Sequence, residues 1–156
     1  LRTLLGDLSE HWINHNEGPD TWSPYDVVGH LVHTEEVNWI ARIQMILEHG
    51  ASKTFPPLDR FAFLEKLKGK PLSKLLDTFD KLRKTNLRNL SGMNLKPEHF
   101  ELQGRHPDFG SVKLGQLLAT WTVHDLNHIR QIARVMAKQY SEAVGPWKVF
   151  LPILDE

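Results

Sequence analysis

The sequence predicts an all-α protein, an antiparallel four-helix bundle, and three observations predict it. Apolar residues recur at three-and-four spacing over long segments, proline and glycine clusters separate those segments, and no stretch shows a convincing period-two alternation. A chain of 156 residues can bury one sizeable core and is short for two, so one domain over 1–156 is expected.

The first helix is expected from Leu1 to about Asn14, with Leu1, Leu4, Leu5, Leu8, Trp12 and Ile13 on its apolar face and "NEGPD" as its stop. The second begins at "TWSPYD": Ser23 suits the N-cap, Pro24 the first helical position, and Asp26 the first turn, where negative charge is favoured. It is predicted to run unbroken to about Glu48, where "HGASKTFPP" closes it. A short helical piece is expected around Asp59 to Leu67, ended by "KGKP". The third long helix spans Leu72 to about Leu90, with Leu72, Leu75, Leu76, Phe79 and Leu82 on one face and "SGMN" as the stop. The last runs from about Val112 to Tyr140. Between them, residues 93–111 form a connection too long for an idle loop; Phe100, Leu102 and Phe109 suggest that it is packed, and it carries His99 and His106.

Charge and composition narrow the function. Nineteen basic and nineteen acidic side chains cancel, so no overall field draws the protein to nucleic acid or to an acidic membrane. The absence of cysteine excludes disulfides, thiolate metal sites and a cysteine nucleophile, leaving nitrogen and oxygen as metal ligands. No apolar run approaches a bilayer span and "LRTLLGDLSE" lacks a signal-peptide layout, so a cytoplasmic protein is expected.

The informative stretch is "TVHDLNHIRQ", residues 122–131. Residues four apart on a helix lie about 40° apart around the axis and roughly 6 Å along it, so His124 and His128 project from one face. A helical wheel puts the pair at the border of an apolar arc that runs from Leu117, Trp121 and Ile132 to Ile129, Ala133 and Leu126. Two boundary histidines can equally be satisfied by hydrogen bonds or water, so the test is a third ligand, because a zinc-like site takes at least three. His30, in "VVGHLVHTEE", aligns with Thr34, Val37 and Ala41 on a stripe suited to helix contact, and Gly29 beside it permits close approach. His33 leans toward Glu36 and Gln44 and reads as solvated or as a support behind the ligands; His33 and His106 are next in line as third ligand; His11, His15 and His49 read as exposed. Asp125, Gln131, Glu35 and Glu36 are candidates to orient the imidazoles. "HDLNH" is also an aspartate variant of the HExxH zinc-protease motif, with Asp125 as a short base.

"SPYDVVGHLVHTEE" and "HPDFGSVKLGQLLATWTVHDLNHIRQIARVMA" together resemble the DinB-like superfamily, the YfiT-type metal-dependent hydrolases of bacteria, over roughly a third of the chain and in the right order. The resemblance implies a four-helix bundle in which His30, His124 and His128 hold a divalent metal, usually zinc or nickel, with water completing the shell. It also implies a small-molecule substrate, acted on by hydrolysis or by transfer of a low-molecular-weight thiol to an electrophile. A non-catalytic metal-binding or stress-response bundle is the alternative.

The remaining features read as structural. Trp12, Trp39 and Trp121 fall at core spacings, and Trp22 and Trp147 beside "SP" and "GP" turns that they would clamp; Arg42 could face the cleft and bind an anionic substrate, but reads rather as a salt-bridged or snorkelling surface cation. The closing "VGPWKVFLPIL" reads as a tail over the bundle or part of a homodimer contact.

Overall fold

A computed structural model of the protein describes residues 1–155 and is mostly helical. The predicted first helix is two short ones, α1 (Arg2–Leu5) and α2 (Glu10–Asn14). Gly6 closes α1 by donating to the Arg2 carbonyl, and Ser9, with extended backbone, starts α2 afresh. The apolar periodicity survived this break because both pieces turn Leu5 and Ile13 into the same core.

The second predicted helix is also two, α3 (Pro24–Val37) and α4 (Trp39–His49), joined at Asn38. Its start is as expected: the Ser23 hydroxyl accepts from the Asp26 amide, and the Asp26 carboxylate accepts from the Ser23 amide at 2.9 Å. The irregularity at Asn38 involves no proline or glycine. Thr34 donates its hydroxyl to the Leu31 carbonyl at 3.1 Å, a back-bond that bends helices, and Asn38 sits one turn later at φ −104°, ψ −65°. Every residue from Val27 to Glu35 is buried, so α3 is the central helix, packed against α2, α5, α6 and α7. Gly29 is needed there: a Cβ would lie 2.8 Å from Cδ2 of Phe63 on α5 (Phe63–Leu67).

The long helix α6 (Leu72–Gly92) matches its prediction closely. The connection after it does not match the strand-free expectation. It holds a 3-10 turn (Pro97–Glu101) and an antiparallel hairpin, β1 (Gln103–His106) with β2 (Gly110–Lys113), in register Gly104 with Val112 and His106 with Gly110. The alternation is invisible in sequence because the inward position of β1 is Gly104, where a Cβ would stand 2.6 Å from Ile46 Cγ1. The hairpin turn needs positive φ at Gly110, as three-residue hairpin loops do. Val112, expected to open the last helix, is thus in β2; α7 runs Leu114–Lys138 and ends before Tyr140. In the closing segment Leu154 is buried, whereas Trp147 is 69 % exposed and clamps no turn.

The apolar core is in two parts. One gathers Leu5, Ile13, Val27, Val28, Leu31, Val32, Phe63, Leu72, Leu75 and Ile132; the other gathers Trp39, Ile43, Ile46, Phe55, Leu114, Leu117 and Trp121. Between them α3 contributes the buried His30, Thr34 and Glu35, α6 the buried Asn86, and α7 the buried His128. A polar layer therefore crosses the middle of the bundle.

A three-histidine cluster in the polar layer

α7 buries Leu114, Leu117, Trp121, His128, Ile132 and Val135, a stripe at three-and-four spacing that runs through the histidines. The wheel had set them at the stripe's edge and counted Leu126 and Ile129 inside; both are solvent-exposed instead. α3, packed against α7, brings His30 to the same level.

His124 is the middle member. Its Nε2 lies 3.2 Å from Nε2 of His30 and 3.2 Å from Nε2 of His128, and the three donor atoms lie within 4.8 Å of one another. Two ligands on a tetrahedral ion with metal–nitrogen bonds of about 2.0–2.1 Å stand about 3.3 Å apart. The spacing of the imidazoles therefore fits a common ion. Among the described residues no other such group of three is found.

The electrostatics point the same way. His30 is held well below its ordinary value, at about 3, first by burial and then by His128 and His124, against the opposing effect of the Arg60 backbone. His124 falls to about 4, again chiefly through burial and His128, with Asp125 opposing. Burial lowers His128 as well, against the opposing effect of its Gln131 contact. Neutral imidazoles are the form that coordinates a cation. Gln131 Oε1 lies 2.8 Å from His128 Nδ1, so that nitrogen carries the proton and Nε2 presents its lone pair to the cluster. Among the described residues Nδ1 of His124 has no hydrogen-bond partner, and that of His30 has none within 3.5 Å, the Arg60 backbone being its one polar support.

Of the four side chains expected to orient the imidazoles, only Gln131 does so. Asp125 accepts a bidentate pair from Arg83 at 2.7 and 3.0 Å, and Glu36 pairs with Lys66. Glu35 has a different role. Its side chain is 1 % exposed; Oε1 accepts from Arg83 at 3.0 Å and from Trp121 Nε1 at 2.8 Å, and Oε2 accepts from Asn86 at 3.0 Å. Asn86 also donates to the Glu35 carbonyl. Burial works against the charge of Arg83, but its hydrogen bonds to Asp125 and Glu35 outweigh it and raise its hold on the proton. This network ties α3, α6 and α7 together beside the histidines.

The other histidines are elsewhere. His33 is buried, not solvated, and its Nε2 lies 3.1 Å from the Asp59 carbonyl. His106 caps the hairpin turn, its Nδ1 accepting from the Asp108 and Phe109 amides, and stacks on Phe109 at 4.5 Å. His99 Nδ1 accepts from the Lys96 amide. Arg42 lies with its guanidinium carbon 5.1 Å from the centre of the Phe55 ring.

Two site residues were not anticipated. Trp22 packs on His30 at 4.8 Å and stacks over His128 at 6.3 Å, so it walls the cluster instead of clamping a turn. Arg60 lies over Trp22, its guanidinium 5.9 Å from the ring centre. Both come from loops, where periodicity carries no signal. Arg83 and Asn86 could have been found, since they continue the Leu72–Leu75/Leu76–Phe79 stripe of α6 and so occupy interior positions.

The fold and this cluster define a helical bundle with a buried three-imidazole centre between its helices. The sequence matches the DinB superfamily over residues 1–132, and the chain belongs to that superfamily. Among solved structures it is similar to YfiT from Bacillus subtilis, described as a probable metal-dependent hydrolase with an unusual four-helix bundle topology. The TM-score is 0.76 at 20 % identity, covering 88 % of this chain and 78 % of that one, which establishes a shared fold. No curated protein matches the sequence. No helix among the described residues is long and apolar enough to cross a membrane.

Proposed function

We propose that His30, His124 and His128 hold a divalent metal, zinc or nickel, and that the protein is a metal-dependent enzyme acting on a small molecule. The observation that carries this reading is the convergence of three ring nitrogens, two at 3.2 Å from the third, with burial keeping the rings neutral. The description of YfiT as a probable metal-dependent hydrolase supports the same class. A divalent ion on neutral imidazoles lowers the pKa of bound water from about 15.7 to about 7, or stabilises a thiolate, so hydrolysis and thiol transfer share one centre.

The chain's own contributions are positional. Gln131 fixes the tautomer of His128, Trp22 shields His30 and His128 on one side, and Trp39 packs edge-on against His124 at 5.1 Å on another. These aromatic walls lower the local dielectric and restrict rotation of the rings. The peptidase alternative loses its base, because both Asp125 oxygens are occupied by Arg83.

Elemental analysis of purified wild type and of the His30→Ala, His124→Ala and His128→Ala variants tests the centre. About one equivalent of metal in the wild type and severe loss in each variant, with helical circular dichroism retained, is the expected result. Undiminished metal in His30→Ala would remove the third ligand from the reading. Turnover against ester and thiol-plus-electrophile panels, with and without metal, then separates hydrolase from transferase. Bound metal with no metal-dependent turnover on either panel would favour the non-catalytic bundle.

A further inference from the structure

A groove of about 460 Å³ opens beside His128, between the 17–22 loop, the 60–61 turn and the outer face of α7. Its walls include Trp22 and Phe61 and the amides of Asn127 and Gln131. Charge is distributed unevenly along it. At one end Arg134 is neutralised by Glu17, which accepts from it at 2.9 and 2.6 Å. Near the histidines the cation is Arg60, which is exposed and lies over the faces of Trp22 and Phe61. No ion pair to a described carboxylate restrains it, and its charge is felt at both His30 and His128. Arg130 lines the same groove; the other described carboxylate on it is Asp20.

Arg60 is therefore the exposed cation of this groove that stands over its aromatic wall beside His128, and no described carboxylate is paired with it. A divalent ion there would add two further positive charges. A neutral or cationic substrate would gain nothing from this field, whereas an anion would be drawn in and oriented by it. The guanidinium fork, steadied on an indole face, matches an oxyanion geometrically, and the amides of Asn127 and Gln131 supply additional donors.

We infer that this groove binds the oxyanion group of a small molecule, a carboxylate or a phosphate, through Arg60, leaving the rest of that molecule directed at the histidine cluster. The direction of the bound molecule rests on the metal-centre reading; the anion site itself does not. Arg60 is accordingly a binding residue for one end of the substrate, and the reacting atoms lie at the other.

The test titrates metal-free protein with inorganic phosphate and, separately, with succinate, following Trp22-dependent fluorescence quenching and calorimetry at low and high salt. Saturable binding by at least one of them is expected, weakening with added salt. Arg60→Gln should raise the dissociation constant about ten-fold or more, as loss of a charged hydrogen bond does. Arg60→Lys should recover part of it, and Arg88→Gln, on the exposed face of α6, none of the loss. The stronger of the two anions tells phosphate from carboxylate chemistry. Binding unchanged within two-fold in Arg60→Gln would overturn the proposal, as would binding of neither anion by metal-free protein. Metal content is measured on the same preparations. Arg60-dependent anion binding by a protein that takes up no metal would refute the metal centre and leave the anion site standing.

Discussion

Removal of Arg83 offers the sharpest test of how the polar layer is held. Glu35 is 1 % exposed and Arg83 23 %, so an Arg83→Met variant strands a buried carboxylate with only the Trp121 and Asn86 donors. Breaking one side of a buried ion pair costs about 3–5 kcal/mol. The two remaining neutral donors and the partial exposure of Arg83 and Asp125 reduce this, and we expect about 3 kcal/mol. Methionine is the appropriate replacement because the guanidinium carbon lies over the rings of Phe79 and Trp121 at 5.0 and 5.3 Å, a space that an apolar chain of similar reach can fill. Adding Glu35→Gln removes the stranded charge, so the double variant should recover about 1–2 kcal/mol relative to the sum of the single changes. Urea unfolding of metal-free protein at pH 7.5, followed by circular dichroism and tryptophan fluorescence, gives all three numbers. The same variants should bind metal less tightly, since the network spans the helices that carry His30 and His124. A loss below about 1 kcal/mol in Arg83→Met, or strict additivity in the double variant, would show that Glu35 does not depend on this guanidinium and refute the reasoning.

Three further outcomes follow from the geometry. Gln131→Ala frees His128 Nδ1 and should weaken metal binding about 10–100-fold in competition with a chelator while leaving unfolding nearly unchanged; unaltered affinity would deny Gln131 its orienting role. Gly29→Ala places a Cβ 2.8 Å from Phe63 and should destabilise by about 1–2 kcal/mol, overpacking exceeding the gain in helix propensity, and a stabilised variant would show that Phe63 yields freely. In metal-free protein His30 and His124 drop from 6.5 to about 3 and about 4, so above pH 6.5 they are neutral folded and unfolded alike. Below it the unfolded chain takes protons that the fold refuses. Stability should therefore fall from about pH 6.5 to about pH 4, by at most about 1.4 kcal/mol per pH unit for each histidine, and melts that are flat over that window would contradict the burial of the rings.

Much of the fold was legible because the long helices carry their own period. α6 needed only its leucines and α3 only Ser23, Pro24 and Asp26. What escaped depends on contacts distant in sequence or on residues that leave no apolar mark. Asn38 interrupts a helix without a breaker, and Gly104 turns a strand inward with no side chain. Of the site, the i, i+4 pair and its partner His30 were readable from helix geometry. Trp22 and Arg60 were not, since loops fix their positions through packing alone.

The segment "HDLNH" shows why a motif must be read in rotation as well as in spacing. One residue step turns a helix by about 100°, and here His124 is aimed at His30 while that step carries Asp125 to the side of α6. Asp125 meets Arg83 of α6 instead, and through it Glu35 of α3. The histidines and the aspartate thus serve opposite sides of one turn: His124 and His128 converge on a cation-sized space, while Asp125 helps to fix the helix that holds them. An HExxH protease needs its acidic residue on the metal side of that turn. Here that side is occupied by indole rings and imidazoles, and the acid is committed to an ion pair. The same five letters therefore specify a convergent histidine pair and a structural anchor.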